Sequence, residues 1–217
     1  MLVSLEFLST GAEGAVARSP MERQARAAGA RFEVRGGWSV AVAYDGERDA
    51  LERAVGWADR SHLAKLELSG EPPLPLDLGS GTRTEDGWWL PMTRARTLLV
   101  DAQPGVRERL GDAAVDVTTA FGALEIAGPL ARETFARFTA LDLRPQVCPP
   151  GAWRPGSVAR TPGGILCLAE DRFLLLFGAA YGQYLWTVVA DAAGHLGGGP
   201  VGADALAPLP DEVAAGA

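Results

Sequence analysis

A short segment that occurs twice constrains the fold of this chain most. Residues 66–70 read Leu-Glu-Leu-Ser-Gly, and residues 124–128 read Leu-Glu-Ile-Ala-Gly. Each copy is preceded by an Asp with a hydroxyl residue two positions later and is followed by a turn that contains proline. These Asp and hydroxyl residues are Asp59 and Ser61 in the first copy and Asp116 and Thr118 in the second. Apolar alternation that stops at glycine predicts a strand, and self-similarity at long range predicts a pseudo-duplicated fold.

Composition limits the classes of function. The chain has 217 residues, 47% of them hydrophobic, which is enough for one large domain or two small domains in contact. A net charge of −7 and a pI near 4.9 argue against a general nucleic-acid binder. No apolar run approaches the ~20 residues that a membrane-spanning helix needs. The first residues lack the basic start and apolar core of a secretion signal.

Cysteine and histidine are sparse. Cys148 and Cys167 are the two cysteines, too few for a disulfide framework, so the sequence predicts a reducing, cytoplasmic compartment. His62 and His195 are far apart, which disfavours a metal site. No histidine is close in sequence to either cysteine, so both cysteines are predicted to be structural and not nucleophilic.

The patterning predicts an α+β fold with helices on one face of antiparallel sheets. Predicted helices cover residues 19–29, 46–57, 104–110, 129–140 and 180–193. Predicted strands cover residues 31–44, 62–69, 88–100, 122–127, 165–168 and 172–177, with irregular connections at 70–87 and 145–155. Neighbouring residues of a strand face opposite sides, so of Trp88 and Trp89 we expect one to be buried and one to be exposed.

Two stretches carry a family resemblance. The first stretch, residues 20–70, contains Gly29-Ala30-Arg31-Phe32, Gly37-Trp38, the run from Ala54 to His62, and Lys65-Leu66-Glu67-Leu68-Ser69-Gly70. It resembles the opening of a glycine-cleavage T-protein, the folate-dependent aminomethyltransferase. The second stretch, residues 115–190, contains Ile126-Ala127-Gly128-Pro129, Leu141-Asp142-Leu143-Arg144-Pro145, Arg160-Thr161 and Asp171-Arg172-Phe173-Leu174. It resembles the gamma subunit of heterotetrameric sarcosine oxidase.

The resemblance implies a folate-binding-type α+β fold of pseudo-duplicated antiparallel sheets around a central opening. The T-protein's C-terminal barrel has no counterpart before residue 217, so the fold is expected to lack it. The implied organisation is an N-terminal arm at 1–18, a T-protein-like unit at 19–110, a gamma-subunit-like unit at 111–207 and a disordered tail at 208–217.

Several family positions differ in this chain. In an ungapped match the Asp pair that serves the folate falls on Pro91 and Met92, neither of which can accept a proton. In the pterin-binding run the first Glu is kept as Glu170, and the second becomes Leu174. The Arg of a later Ala-Arg-Asp run is missing in Gly202-Ala203-Asp204, which removes a bidentate anchor for a folate carboxylate.

Three residues are candidates for a tetrahydrofolate site that the resemblance implies. The Glu170 carboxylate could accept hydrogen bonds from the amino-pyrimidine edge of a pterin, and Tyr44 and Trp38 could stack on its ring. The other interpretations are an ordinary turn acid for Glu170 and core packing for the two aromatics. The sequence assigns no catalytic residue.

Two functions from different classes follow from the resemblance. One is a non-catalytic subunit like the sarcosine oxidase gamma subunit, in complex with a larger protein of amine oxidation or one-carbon metabolism or assembled as a homo-oligomer. The alternative is a tetrahydrofolate-dependent aminomethyl or one-carbon transferase that uses Glu170, Asp86 or Asp204. A third hypothesis is a sensor that uses the central opening for another small ligand, since a fold does not fix a function.

Overall fold

A computed structural model describes residues 14–206 and 208–210. Fourteen strands and five α-helices are numbered in chain order. The strands are β1 (Ala17–Arg18), β2 (Arg31–Arg35), β3 (Trp38–Ala43), β4 (Gly56–Asp59), β5 (Lys65–Ser69), β6 (Thr82–Thr84), β7 (Gly87–Thr93), β8 (Arg96–Val100), β9 (Ala114–Asp116), β10 (Phe121–Ala127), β11 (Trp153–Val158), β12 (Thr161–Ala169), β13 (Arg172–Gly178) and β14 (Gly199–Pro200). The helices are α1 (Glu22–Ala27), α2 (Glu47–Arg53), α3 (Val106–Leu110), α4 (Ala131–Ala136) and α5 (Gly182–Gly194).

The strands form three sheets. A six-stranded sheet has the order β11-β12-β13-β10-β4-β14, and a five-stranded sheet has the order β6-β7-β8-β5-β9. A small sheet has the order β1-β3-β2. Most neighbours are antiparallel, and none of these described sheets closes into a barrel. The α+β class predicted from the sequence is confirmed.

The two copies of the repeat pair with each other reciprocally. In the first copy β4 leads into β5, and in the second copy β9 leads into β10. Strand β4 pairs antiparallel with β10, and β5 pairs antiparallel with β9. Each copy therefore gives one strand to the large sheet and one to the five-stranded sheet. The two predicted units, 19–110 and 111–207, are interleaved across both sheets.

The Asp and hydroxyl residues of each copy shape the connection between its two strands. In each copy the Asp side chain accepts a hydrogen bond from the backbone N–H of the hydroxyl residue. This arrangement is an Asx turn. These bonds are Ser61 N to Asp59 Oδ1 (2.9 Å) and Thr118 N to Asp116 Oδ1 (2.8 Å). Each hydroxyl then accepts a bond from the other copy's strand. These bonds are Ala123 N to Ser61 Oγ (3.2 Å) and Lys65 N to Thr118 Oγ1 (2.9 Å).

Alternation along the large sheet creates two cores. On β13, Phe173 and Leu175 pack with helices α1, α4 and α5, whereas Leu174 and Leu176 pack against the five-stranded sheet. We call the second cluster the inter-sheet core; it comprises Trp88, Leu90, Leu98, Val100, Ala123, Trp153, Leu166, Leu168, Leu174, Leu176 and Leu209. Helix α3 and the loop at 74–76 cover the outer face of the five-stranded sheet. The molecule therefore has four layers. They are helices α1, α4 and α5, then the six-stranded sheet, then the five-stranded sheet, and last helix α3 with the loop at 74–76.

Several local predictions need correction. The helix predicted at 46–57 ends at Arg53, and Gly56 and Trp57 belong to β4. The first half of strand β11 lies within the region predicted to be irregular, because Trp153 continues the large sheet beside β12. Trp88 and Trp89 do face opposite sides, yet both are buried, since both faces of their sheet are covered.

The C-terminal segment reaches back to the inter-sheet core. Leu209 is buried there, and the carbonyl of Pro208 accepts a hydrogen bond from Arg172 at 3.2 Å. The predicted disordered tail thus differs from the structure at these residues. Its remaining part, 211–217, and residues 1–13 of the predicted arm lie outside the described residues.

Candidate functional site

A cavity of about 660 Å³ opens between the two large sheets at one end of the inter-sheet core. Met92 and Leu98 approach it from the five-stranded sheet, and β10, β11, β12 and β13 supply the opposite walls. The apolar side chains that line it are Met92, Leu98, Phe121, Trp153, Pro162, Leu176 and Phe177. We call it the inter-sheet cavity.

Glycines on neighbouring strands give two of its aromatic walls their positions. A Cβ on Gly164 would lie 2.0 Å from the ring of Trp153, and a Cβ on Gly122 would lie 2.5 Å from the ring of Phe177. Both rings therefore pack directly on a strand backbone.

Arg160 is the one cationic side chain among the described residues that line the inter-sheet cavity. It occupies the two-residue turn between β11 and β12, where Ala159 has φ 48° and Arg160 has φ 63°. Two successive positive φ values are typical of a type I′ hairpin turn. Within the described part of the chain, its exposed guanidinium has no hydrogen bond or ion pair. An exposed cation thus stands beside an apolar cavity.

No described residue lining this cavity carries a carboxylate. Met92, where the sequence match puts one of the family's acids, is a wall residue, and Leu174, where it puts another, is fully buried in the inter-sheet core. A reduced pterin needs a carboxylate at its amino-pyrimidine edge and a base near its reacting nitrogen. The residues that line the inter-sheet cavity therefore do not fit a reduced pterin.

The three sequence-predicted site residues do not come together at the inter-sheet cavity. Glu170 is exposed in the β12–β13 turn, and its carbonyl accepts a hydrogen bond from Arg132 Nε at 3.1 Å. Tyr44 is buried after β3 in the core beside the helices, and burial raises the pKa of its hydroxyl. Trp38 is half-buried and lines a different cavity. Their roles in folate binding stay predictions.

The carboxylates that a transferase could use as alternatives are also engaged elsewhere. Asp86 forms an ion pair with Arg109, and Asp204 forms one with Arg35. Neither acid lines the inter-sheet cavity.

The cavity that contains Trp38 has a volume of about 550 Å³. His62, Arg35 and Asp116 also line it. Burial, followed by the nearby cations Arg60, Lys65 and Arg35, lowers the pKa of His62 to about 4. The imidazole is therefore neutral at physiological pH.

A buried ionic group lies beside the inter-sheet core. Glu125 is fully buried on β10, with Arg60 Nε 3.0 Å from its Oε2 and Arg172 Nε bonded to its Oε1. Arg60 and Arg172 also donate to the carbonyls of Ala203 and Pro208. Sequence reasoning missed this group, because the acid and its two arginines are far apart along the chain.

The described residues contain no cluster of His, Cys, Asp and Glu that could hold a metal ion. Cys148 and Cys167 are both buried and free. No helix in the described part of the chain is long and apolar enough to cross a membrane.

Comparison with known proteins defines the class of fold. No protein-family profile matches the chain. A 57-residue segment is 44% identical to an aminomethyltransferase from Picosynechococcus sp. and covers 25% of this chain and 16% of that protein.

Two solved structures resemble the whole fold. One is a chain of heterotetrameric sarcosine oxidase from Corynebacterium sp. U-96 in complex with pyrrole 2-carboxylate, with a TM-score of 0.65 and 19% identity over 83% of this chain and 96% of the other. The other is glycine cleavage system aminomethyltransferase T from Bartonella henselae, with a TM-score of 0.68 and 16% identity over 88% of this chain and 60% of the other. The match covers less than two thirds of the length of both aminomethyltransferases.

The chain therefore has an α+β fold of the folate-binding aminomethyltransferase type. Within that class it resembles both aminomethyltransferase T and a sarcosine oxidase chain. The resemblance predicted from the sequence is confirmed at the level of the fold.

Proposed function

We propose that this chain is a non-catalytic accessory subunit of a protein complex that oxidises amines or handles one-carbon units. One observation carries the proposal: the described walls of the inter-sheet cavity hold no carboxylate. The fold supports the kind of complex, because a chain of similar fold is part of heterotetrameric sarcosine oxidase.

The cavity walls argue against transfer chemistry by this chain alone. Transfer of an aminomethyl unit needs a group that accepts or gives a proton near the reacting nitrogen. The thioether of Met92 does neither. A cationic intermediate in this cavity would lose its hydration without gaining an opposite charge, while Arg160 would repel it.

Two exposed tyrosines support a protein partner, and two free cysteines support a reducing compartment. Tyr181 and Tyr184 are exposed at the start of α5, and aromatic side chains of this kind are enriched at protein interfaces. The free, buried state of Cys148 and Cys167 agrees with a reducing compartment such as the cytoplasm.

Isolation of the tagged full-length protein from its native host tests the accessory role. We expect a defined complex with a larger, flavin- or folate-dependent partner, identified by native mass and mass spectrometry. An isolated monomer under all conditions of growth and extraction would contradict the proposal.

An activity assay with the purified chain tests the alternative. We expect no tetrahydrofolate-dependent formation of a one-carbon adduct from an aminomethyl donor. Turnover that disappears in Glu170→Ala, but not in a control with Glu133→Ala on the exposed face of α4, would favour the transferase instead.

A further inference from the structure

We propose that the inter-sheet cavity binds a small apolar monocarboxylate, with the apolar body between the sheets and the carboxylate on Arg160. This is independent of the accessory role, since the isolated chain contains the cavity walls and the arginine. It also differs from folate binding, because the ligand has no polar ring edge to satisfy.

The size and chemistry of the walls select an apolar body. The cavity measures about 660 Å³, within the range of about 300–1,000 Å³ that is usual for small-molecule sites. Phe121, Trp153 and Phe177 give it aromatic walls, and Met92 is an adaptable side chain at its edge. Transfer of an apolar body from water to such walls is favourable.

The polar groups at one side of the cavity select an anion. Arg160 offers a planar guanidinium that matches a carboxylate in a bidentate pair. The hydroxyls of Ser157 and Tyr181 line the same cavity and have no hydrogen bond within the described part of the chain. All three groups can donate a hydrogen bond to an anion, and no described wall residue carries a negative charge that would favour a cationic ligand.

The turn holds the arginine where the ligand's charged end would lie. Val158 and Thr161 pair across the base of the turn, and the Thr161 hydroxyl donates to the carbonyl of Val158 at 2.9 Å. Arg160 thereby lies at the exposed tip of the hairpin between buried Ala159 and Thr161, and its side chain is free to adapt.

Displacement of 1-anilinonaphthalene-8-sulfonate from the full-length protein tests the proposal, with dye fluorescence and intrinsic tryptophan fluorescence as readouts. Decanoate and 2-naphthoate serve as aliphatic and aromatic carboxylates, and decanol and 2-naphthol as their uncharged counterparts. We expect saturable displacement by at least one carboxylate and about tenfold or more weaker displacement by its uncharged counterpart. The two carboxylates distinguish a lipid-like from an aromatic ligand.

Variants locate the site. Arg160→Asn removes the charge but tolerates the positive φ, so it should weaken carboxylate binding about tenfold and leave the uncharged compound unchanged. Arg160→Lys should recover part of the loss. Arg107→Gln, at an exposed arginine on α3, is the matched control and should change nothing. Met92→Trp should narrow the cavity and weaken binding of both compounds.

Equal affinity for charged and uncharged compounds would overturn the proposal, as would binding that neither Arg160→Asn nor Met92→Trp weakens. Displacement of the dye by micromolar tetrahydrofolate would also overturn it in favour of a pterin site. None of these results depends on whether a partner subunit is found.

Discussion

Glu125 holds two arginines inside the fold. Its carboxylate is the shared partner of Arg60 and Arg172, which in turn bind the carbonyls of residues 203 and 208. Burying an ion pair brings little net stability, but removing one partner leaves a charge that neither water nor protein compensates. The group therefore fixes the position of the C-terminal segment against β10 and β13.

Replacing Glu125 with Gln should lower the free energy of unfolding by about 3–5 kcal/mol, because both arginines lose their counter-charge in a buried site. Urea unfolding followed by tryptophan fluorescence measures the change. Glu133→Gln is the control: its pair with Arg137 is exposed and 3.8 Å long, so the loss should stay under about 1 kcal/mol. Equal losses in the two variants would contradict the prediction.

His62 should make the protein sensitive to mild acid. Its pKa is about 4 in the folded state against an ordinary value of 6.5, so the unfolded chain binds more protons between these two values. Stability contributed by the neutral imidazole is present above pH 6.5 and is lost as the pH falls towards 4. The full effect approaches about 3 kcal/mol.

Unfolding free energies of wild type and His62→Gln at pH 7 and pH 4.5 measure this effect. Wild type should lose more stability than the variant between these conditions. The buried Asp59, whose pKa is raised chiefly by its burial, contributes the opposite sign in both proteins and cancels in the comparison. Identical losses would mean that His62 is protonated without cost in the folded protein.

At the scale of the element, the repeat explains which predictions were possible. Strands β5 and β10 were predictable because each alternates and stops at a glycine with positive φ, 99° at Gly70 and 123° at Gly128. Strand β4 was missed because Gly56 is typical of the end of a helix and the strand is only four residues long. Only pairing with β10, far along the chain, makes them a strand.

The candidate site was only partly predictable. The match to the family marked Met92 and Leu174 as lost acids, and the structure puts the first in the cavity wall and the second in the adjacent core. Arg160 carried no readable signal beyond its place in the resemblance, since its importance arises from the turn and from the missing partner. The aromatic walls come from three different strands, β10, β11 and β13, which only the sheet order brings together.

The two glycines of the repeat should differ in their tolerance of alanine. A Cβ at Gly128 would lie 2.8 Å from the carbonyl oxygen of Ala54, whereas a Cβ at Gly70 meets nothing within 4 Å. Both variants carry the strain of a positive φ, about 1–2 kcal/mol. Gly128→Ala should lose about 2 kcal/mol more than Gly70→Ala, measured by urea unfolding. Equal losses would mean that residue 54 moves aside at no cost.

At the scale of the whole molecule, the reciprocal pairing makes the two halves interdependent. A cut between Pro104 and Gly105 leaves β4 and β5 on one fragment and their partners β10 and β9 on the other. It also exposes Trp88, Leu90 and Leu98, which the large sheet covers in the intact chain. The inter-sheet core therefore needs both fragments.

Fragments 1–104 and 105–217, expressed separately, should each lack a cooperative unfolding transition. Mixed in equal amounts they should form a one-to-one complex with the circular dichroism spectrum of the intact protein. Size-exclusion chromatography with light scattering measures the assembly. A cooperative transition in either fragment alone would contradict the prediction.

The crossed pairing of the two repeats also determines when the chain can fold during its synthesis. Strand β4 leaves the ribosome long before β10, to which it pairs from Asp59 at Leu124 to Gly56 at Ala127. Until β10 has been made, the backbone of β4 lacks that hydrogen-bonding partner. The apolar face of β7 and β8 is then also not yet covered by the large sheet. Unpaired strands and uncovered apolar faces promote aggregation of nascent chains. The first half is therefore more exposed to aggregation until the second half has been made.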